Sequence, residues 1–282
     1  MIAEALAGAA RALAATSDTP RLDAELRMAH ALGTTREALL LGGMRAETPA
    51  EFMALVARRA LREPVAYITG RRAFWTIELT VAPAVLIPRP DTETLMEAAV
   101  ARFGKVGPAR VLDLGTGSGA LLLAALAEWP DATGMGVDAS EGAVAVARAN
   151  AARLGLAERA DIRLGGWAAA GDGNFDLVLC NPPYVGAEEA LPADVADFEP
   201  HAALFAGADG LDDYRAIAGL LRLPPDGIAC LEIGATQGKA VCGLFAAAGF
   251  ATRVDRDLAG QDRAVILSRR PDFPLGKRDP SD

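Results

Sequence analysis

The chain has 282 residues, 51% of them apolar, which is enough for one large or two modest domains with a substantial core. Its formal net charge of −9 argues against an enzyme held on nucleic-acid phosphates, because that needs a basic footprint. No apolar run approaches the ~20 residues of a membrane span and no charged–apolar–small-residue leader opens the chain, so a cytoplasmic protein with no membrane partner and no direct nucleic-acid contact is expected.

Residues 1–72 read as helical. Thr34-x-x-Glu37 and Thr48-x-x-Glu51 fit capping boxes, Pro20 and Pro49 suit first turns, and Phe52, Leu55, Val56 and Leu61 follow helical spacing. The expectation is a small bundle whose outer face docks a protein substrate, with Arg58, Arg59, Arg62, Arg71 and Arg72 as candidate contacts. Residues 1–80 carry ten Arg against nine acids, leaving a balance of −10 on the remainder. Residues 73–88 alternate Phe74, Ile77, Leu79 and Val81 with polar positions and read as a hairpin linker. Arg89 to Glu93 then open a helix that runs to about Phe103, starting a domain over 89–282.

From Arg110 onward strands alternate with helices about seven times, which implies an α/β, mostly parallel sheet covered on both faces. The last two strands, near 251–255 and 264–268, are joined by a short loop and should pair antiparallel. The segment 185–209 is long for a compact domain and is expected to recognise substrate. The tail from Pro271 to Asp282 has few apolar residues and is expected to be loose. Cys180, Cys230 and Cys242 lack metal-ligand spacing, so no metal is expected and buried free thiols are the reading for Cys180 and Cys230. His30 and His201 neighbour no candidate nucleophile and are read as structural.

Two segments carry chemistry. In the first, the apolar run Val111–Leu114 enters the turn Gly115-Thr116-Gly117-Ser118-Gly119, followed by a helical Ala120–Leu126. Glycines let backbone approach a ligand, and a helix N-terminus offers free N–H groups. A second strand ends in Asp138, 19 positions after Gly119, where an acid can accept from ribose hydroxyls. These features point to an adenosine-containing ligand and do not choose between NAD and S-adenosylmethionine.

In the second segment, Phe175–Cys180 reads as a buried strand stopped by Asn181-Pro182-Pro183-Tyr184. Two prolines cannot continue a ladder, and each restricts the residue before it. The Asn181 side-chain oxygen and the Pro182 carbonyl would form a two-acceptor clamp for a planar –NH2 group, with Tyr184 as a flat face beside it.

Together the apolar strand, glycine turn, strand-end acid and Asn-Pro-Pro-Tyr resemble the class I S-adenosylmethionine-dependent methyltransferases that act on planar amino or amide nitrogens. Leu86-Ile87-Pro88-Arg89-Pro90-Asp91-Thr92-Glu93, Phe198-Glu199-Pro200, Leu231-Glu232-Ile233-Gly234 and Asp257–Arg263 extend the likeness across nearly the whole chain. With these the sequence resembles the bacterial peptide chain release factor glutamine N5-methyltransferases. That resemblance implies a doubly wound, mostly parallel seven-stranded methyltransferase sheet behind a small N-terminal helical bundle. It implies a monomeric enzyme acting on class 1 peptide chain release factors, at the glutamine of their Gly-Gly-Gln motif.

The resemblance also implies site roles. Asn181, Pro182 and Tyr184 would be catalytic. Asn181, Pro182, Pro183, Tyr184 and Arg89 would meet substrate. Gly115, Thr116, Gly117, Ser118, Gly119, Asp138, Trp167 and Asn181 would hold S-adenosylmethionine, with Trp167 against the adenine. One position departs from the family, which often has an acid before the tryptophan where this chain has Gly166. The alternatives are glutamine methylation of a ribosomal protein, amino methylation of adenine or guanine in nucleic acid, and a non-catalytic adaptor.

Overall fold

The computed structural model describes residues 1–171 and 173–269, with the backbone alone at Arg45; the tail from Pro271 lies outside the described residues. The chain forms two compact units. One comprises Met1–Arg71 with Val81–Pro83 and Leu191–Glu199; the other comprises Arg72–Thr80, Ala84–Ala190 and the chain from Pro200 onward.

The first unit contains α1 (Ile2–Leu13), α2 (Pro20–Ala31), α3 (Arg36–Gly42), α4 (Phe52–Ala60) and α5 (Val65–Thr69). Ile2, Leu6, Ala9 and Leu13 of α1 recur at helical spacing and are buried with Met28, Leu39, Phe52 and Val56. Pro20 occupies the first turn of α2 as its fixed φ favours. The capping boxes differ from expectation. Thr35, not Thr34, caps α3, accepting from the Ala38 N–H at 3.2 Å. At α4 the N-cap is Glu51 without a side-chain cap, and Pro49 lies before the helix. The arginines expected at a docking face are partly engaged. Arg59 pairs with buried Asp23 at 2.8 Å, Arg58 pairs with Glu63 at 2.5 Å, and the Arg72 Nε donates to the Pro88 carbonyl at 2.9 Å.

The second unit opens with the strand pair β1 (Arg71–Phe74) and β2 (Ile77–Thr80), turning at Trp75, whose φ is +52°. Residues 81–88 add no strand to the hairpin, consistent with prolines at 83 and 88 that cannot donate to a ladder. A turn of 3-10 helix over Pro90–Thr92 leads into α6 (Glu93–Phe103), as expected from the sequence.

Then β3 (Arg110–Leu114), α7 (Ala120–Glu128), β4 (Thr133–Asp138), α8 (Glu141–Arg153), β5 (Ala160–Leu164) and β6 (Leu177–Cys180) follow in turn. After them come α9 (Ala193–Ala196), which belongs to the first unit, and then α10 (Asp212–Leu220), β7 (Ile228–Glu232), α11 (Gly238–Ala247), β8 (Ala251–Arg256) and β9 (Asp262–Ser268) of the second. The seven strands β3 to β9 lie in the order β5-β4-β3-β6-β7-β9-β8. Only β9 runs antiparallel, to both β7 and β8.

Strand alternation sorts the core onto two faces. Val111, Leu177 and Leu179 pack with α6, α7 and α8 residues on one; Leu112, Leu114, Val178 and Cys180 pack with Tyr214, Ile217 and Phe245 on the other. From β3 the chain steps outward through β4 to β5, then returns to β3's other side as β6. That reversal places the carboxyl ends of β3 and β6 side by side, Leu114 opposite Cys180. In open α/β sheets this switch point is where ligands bind.

Candidate active site

The residues just past the two central strands are the glycine turn and the Asn-Pro-Pro-Tyr segment. Gly115, Gly117 and Gly119 have φ of +73°, +55° and +85°, conformations that side chains resist. A Cβ on Gly115 would lie 3.3 Å from the Trp167 ring, and one on Gly119 would lie 2.8 Å from Leu123 Cδ1. The turn is bolted down from behind. The Gly115 and Thr116 N–H groups both donate to the Val137 carbonyl at 2.9 Å, and Asn150 of α8 donates to the Ser118 carbonyl at 2.9 Å.

Asp138 ends β4 and accepts through both oxygens, from the Gly117 and Ser140 N–H groups, each at 2.9 Å. Asp113, inside β3, has no role in the sequence reading, yet it is the acid beneath the turn. It is 1% exposed and accepts from Thr116 Oγ1 at 2.7 Å and from the Leu122 N–H at 3.2 Å. Its Oδ1 is buried without a partner. Burial pushes the Asp113 carboxyl up to about 7, against the pull of those two donors. The signal for it was in the sequence: an acid two positions before the first glycine, at a strand end.

Asn181 follows β6. Its Nδ2 donates to Thr92 Oγ1 at 3.3 Å, while its Oδ1 is buried and unpartnered. Pro182 is buried behind it. The Tyr184 hydroxyl donates to Glu232 Oε1 at 3.3 Å at the end of β7, and burial raises the phenol's pKa. Thr92 and Glu232 belong to segments that carried the family resemblance, but sequence reasoning assigned neither a role. The Trp167 indole N–H donates to Asp213 Oδ1 at 2.9 Å, which fixes its ring against the turn.

Most of these groups line one cavity of about 420 Å³. Of the expected cofactor residues, Gly115, Thr116, Gly117, Ser118, Asp138, Trp167 and Asn181 line it, joined by Asp113 and Thr92. Gly119 does not line it; it is the N-cap of α7. Pro183 lines the cavity, whereas Pro182, Tyr184 and Arg89 stand outside the lining. Gly166 lines it too, and a Cβ there would meet nothing within 4 Å, so the missing acid leaves open space.

Residues 185–209 are more structured than a bare loop. Val185 and Phe205 form a parallel bridge, and Gln237 Nε2 donates to the Tyr184 carbonyl at 2.9 Å. Residues 201–203 form a 3-10 turn in which His201 lies edge-on to Phe205 at 5.7 Å.

The donor set suits a large cationic cofactor with an adenosine end. An orphaned buried carboxylate oxygen on Asp113, a strand-end acid and a glycine cradle that a Cβ would obstruct could hold S-adenosylmethionine. No group of three or more His, Cys, Asp or Glu that could hold a metal occurs among the described residues. Cys180 and Cys230 are fully buried thiols.

Comparison with known proteins agrees with this arrangement. The family described as the PrmC N-terminal domain matches residues 4–70, and the one described as the methyltransferase small domain matches residues 91–203. A release factor glutamine methyltransferase of Rhodospirillum rubrum is 46% identical over 276 residues, covering 95% of this chain and 85% of that one. One from Cereibacter sphaeroides is 47% identical over 272 residues, covering 93% and 96%. Among solved structures, the hMettl16 catalytic domain bound to MAT2A 3′UTR hairpin 6 aligns with a TM-score of 0.55 at 14% identity, covering 78% of this chain and 83% of that one. A methyltransferase from Pyrococcus furiosus aligns at 0.50 and 16% identity, covering 77% and 97%. At such identities the two structures speak to the fold alone, but the identities of the two bacterial enzymes decide more: the chain belongs to the release factor glutamine methyltransferase family.

Proposed function

We propose that this S-adenosylmethionine-dependent methyltransferase transfers its methyl group to the side-chain amide nitrogen, N5, of the glutamine in the Gly-Gly-Gln motif of class 1 release factors. The observation that carries the reading is Asn181 Oδ1. It is a buried acceptor with no partner, next to the glycine turn, on a residue whose Nδ2 end is already committed to Thr92. A buried acceptor left unsatisfied is costly, and a substrate N–H is the group that would satisfy it.

S-adenosylmethionine supplies an electrophilic methyl on a sulfonium. The chain's own residues would position and activate the acceptor. An amide nitrogen is a poor nucleophile because its lone pair is delocalised into its carbonyl. Asn181 Oδ1 and the Pro182 carbonyl would accept the two N–H bonds and favour a pyramidal nitrogen with a directed lone pair. The same two acceptors would stabilise the positive charge that grows on nitrogen as the methyl arrives. The methylated nitrogen then holds a strongly acidic proton that leaves to water, so no dedicated base is needed. Asp138 would take the ribose hydroxyls, Trp167 would lie along the adenine, and the Gly115–Gly119 turn would pass the methionine end. Tyr184, braced by Glu232, would wall the amide on one side, with Pro183 beside it and Arg89 as a further substrate contact. In-line placement supplies much of the remaining rate.

The helical unit, residues 1–72 in this reading, would dock the folded release factor, and the second unit would carry the chemistry. The relatives' names support a release factor as the protein substrate. The net charge of −9 weighs against the nucleic-acid alternative. Mass spectrometry of a release factor incubated with the enzyme and methyl-labelled S-adenosylmethionine tests the proposal. A label on the motif glutamine is expected; a label elsewhere, or none, refutes it.

A further inference from the structure

The carboxylates that line the cavity are Asp113, Asp138 and Asp213. Asp113 lies beneath the glycine turn, where Thr116 Oγ1 donates to it, and so belongs with the methionine end of the cofactor. Asp138 ends β4, on the N–H groups of Gly117 and Ser140, at the ribose. Asp213 stands apart from both. It is a half-buried residue in the first turn of α10, and its Oδ1 takes the Trp167 indole N–H at 2.9 Å. Its Oδ2 meets no hydrogen-bond donor among the described residues. A carboxylate oxygen can only accept, so Oδ2 is an acceptor left over at the cavity wall.

S-adenosylmethionine has three groups that donate hydrogen bonds: the ammonium of its methionine end, the ribose hydroxyls and the adenine 6-amino group. The first two fall to the turn and to Asp138. Little else beside Trp167 can take the third. Gly166 brings no side chain, a Cβ there would meet nothing within 4 Å, and the Gly166 carbonyl is already taken by the Ala169 N–H at 2.8 Å. The indole itself is held at two points, with its six-membered ring close over Gly115 and its N–H on Asp213. A base lying along that ring therefore has the Asp213 carboxylate at its border.

We propose that Asp213 recognises the adenine 6-amino group, its Oδ2 accepting one N–H bond, and so selects adenine over a purine with a carbonyl at position 6. The proposal rests on the placement of the adenine beside Trp167. One carboxylate then does two things: Oδ1 fixes the wall on which the base lies, and Oδ2 reads the edge of the base. A 6-oxo purine turns lone pairs toward lone pairs at that edge, where adenine turns an N–H. A site built to bond a donor rejects the analogue that lacks it, because its own polar group is left unpaired. If Asp213 only anchored Trp167, its loss would weaken every ligand of the cavity alike.

The test is calorimetry on the full-length enzyme with S-adenosylhomocysteine and S-inosylhomocysteine, which carry an amino group and a carbonyl at position 6. Wild type should bind the adenosyl form roughly 10- to 100-fold more tightly, as a hydrogen bond to a charged group allows. Asp213→Asn keeps the shape and an oxygen for the indole but turns an NH2 toward the base, so the preference should vanish or reverse. Asp213→Ala should bring the two affinities to within a few-fold of one another. A wild type without preference, a preference that survives in Asp213→Asn, or an equal loss on both ligands in both variants would each overturn the proposal. If Asp213→Ala does not fold, Asp213→Asn decides. Trp167→Ala separates the two levels. If it weakens both ligands while Asp213→Asn keeps the wild-type preference, the recognition by Asp213 alone falls. If it changes neither affinity, the adenine does not lie beside Trp167 and both readings fall.

Discussion

Replacing Asp113 by asparagine should make the protein more stable and a worse binder of its cofactor. The carboxyl sits beneath the glycine turn with one oxygen unpartnered, and burial raises it from 3.8 to about 7. At about 1.36 kcal/mol per unit, the charged form costs the folded protein on the order of 4 kcal/mol. The sign follows from linkage. Below the unfolded value the group is protonated in both states and nothing is lost. As pH climbs from 3.8 towards about 7 the unfolded chain releases its proton first, and stability falls. Above that range the loss is constant. Asparagine can still accept from Thr116 and from the Leu122 N–H, and its NH2 faces the orphan side much as a neutral carboxyl O–H would. The stability difference, Asp113→Asn minus wild type, should therefore be near zero below about pH 4 and reach a few kcal/mol by about pH 8. Calorimetric unfolding across that range measures it. Cofactor affinity should move the other way. S-adenosylmethionine is cationic, and losing a charged partner should weaken it by about 1.5–3 kcal/mol at alkaline pH. Wild-type affinity should rise with pH through the Asp113 titration, and the variant's should not. A pH-independent stability difference, or unchanged affinity, would refute the assignment.

Asn181→Ala should cost roughly 2.7–4 kcal/mol in the transition state, or on the order of 10²–10³ in kcat, with far less effect on cofactor binding; single-turnover kinetics with calorimetry checks both. Asp138→Ala should weaken S-adenosylmethionine by about 1.5–3 kcal/mol, read by calorimetry, and NAD should show no saturable binding to the parent enzyme. If the helical unit docks the substrate, the exposed apolar Leu41 and Leu61, at 89% and 76% exposure, are candidate contacts. Changing both to Asp should lower kcat/KM on a folded release factor about tenfold and leave activity on a short Gly-Gly-Gln peptide unchanged; equal losses on both substrates would mean the unit only supports the fold.

The sequence made legible whatever is written in contiguous residues. Strand, glycine turn and strand-end acid follow one another between Val111 and Asp138, and each announces its conformation locally. The final antiparallel pair was readable because only a short loop separates 256 from 262, too little for a crossover. The cap of α3 was misread by a residue because neighbouring threonines at 34 and 35 compete for one role, and only backbone geometry chooses between them.

The residues that escaped assignment have a common physical cause. Thr92 meets Asn181 across 89 positions, and Glu232 meets Tyr184 across 48. Neither makes chemical sense until the fold brings the turn before α6 to the end of β6 and sets β7 beside β6. Asn181 and Tyr184 announce themselves because a proline pair stiffens the backbone around them. The orientation of the Asn181 amide is not a property of that tetrapeptide at all. Its Nδ2 end goes to Thr92 Oγ1, from a segment 89 positions away. A motif can declare which atoms will touch the substrate; which end of an amide they present is decided by partners that only the fold supplies.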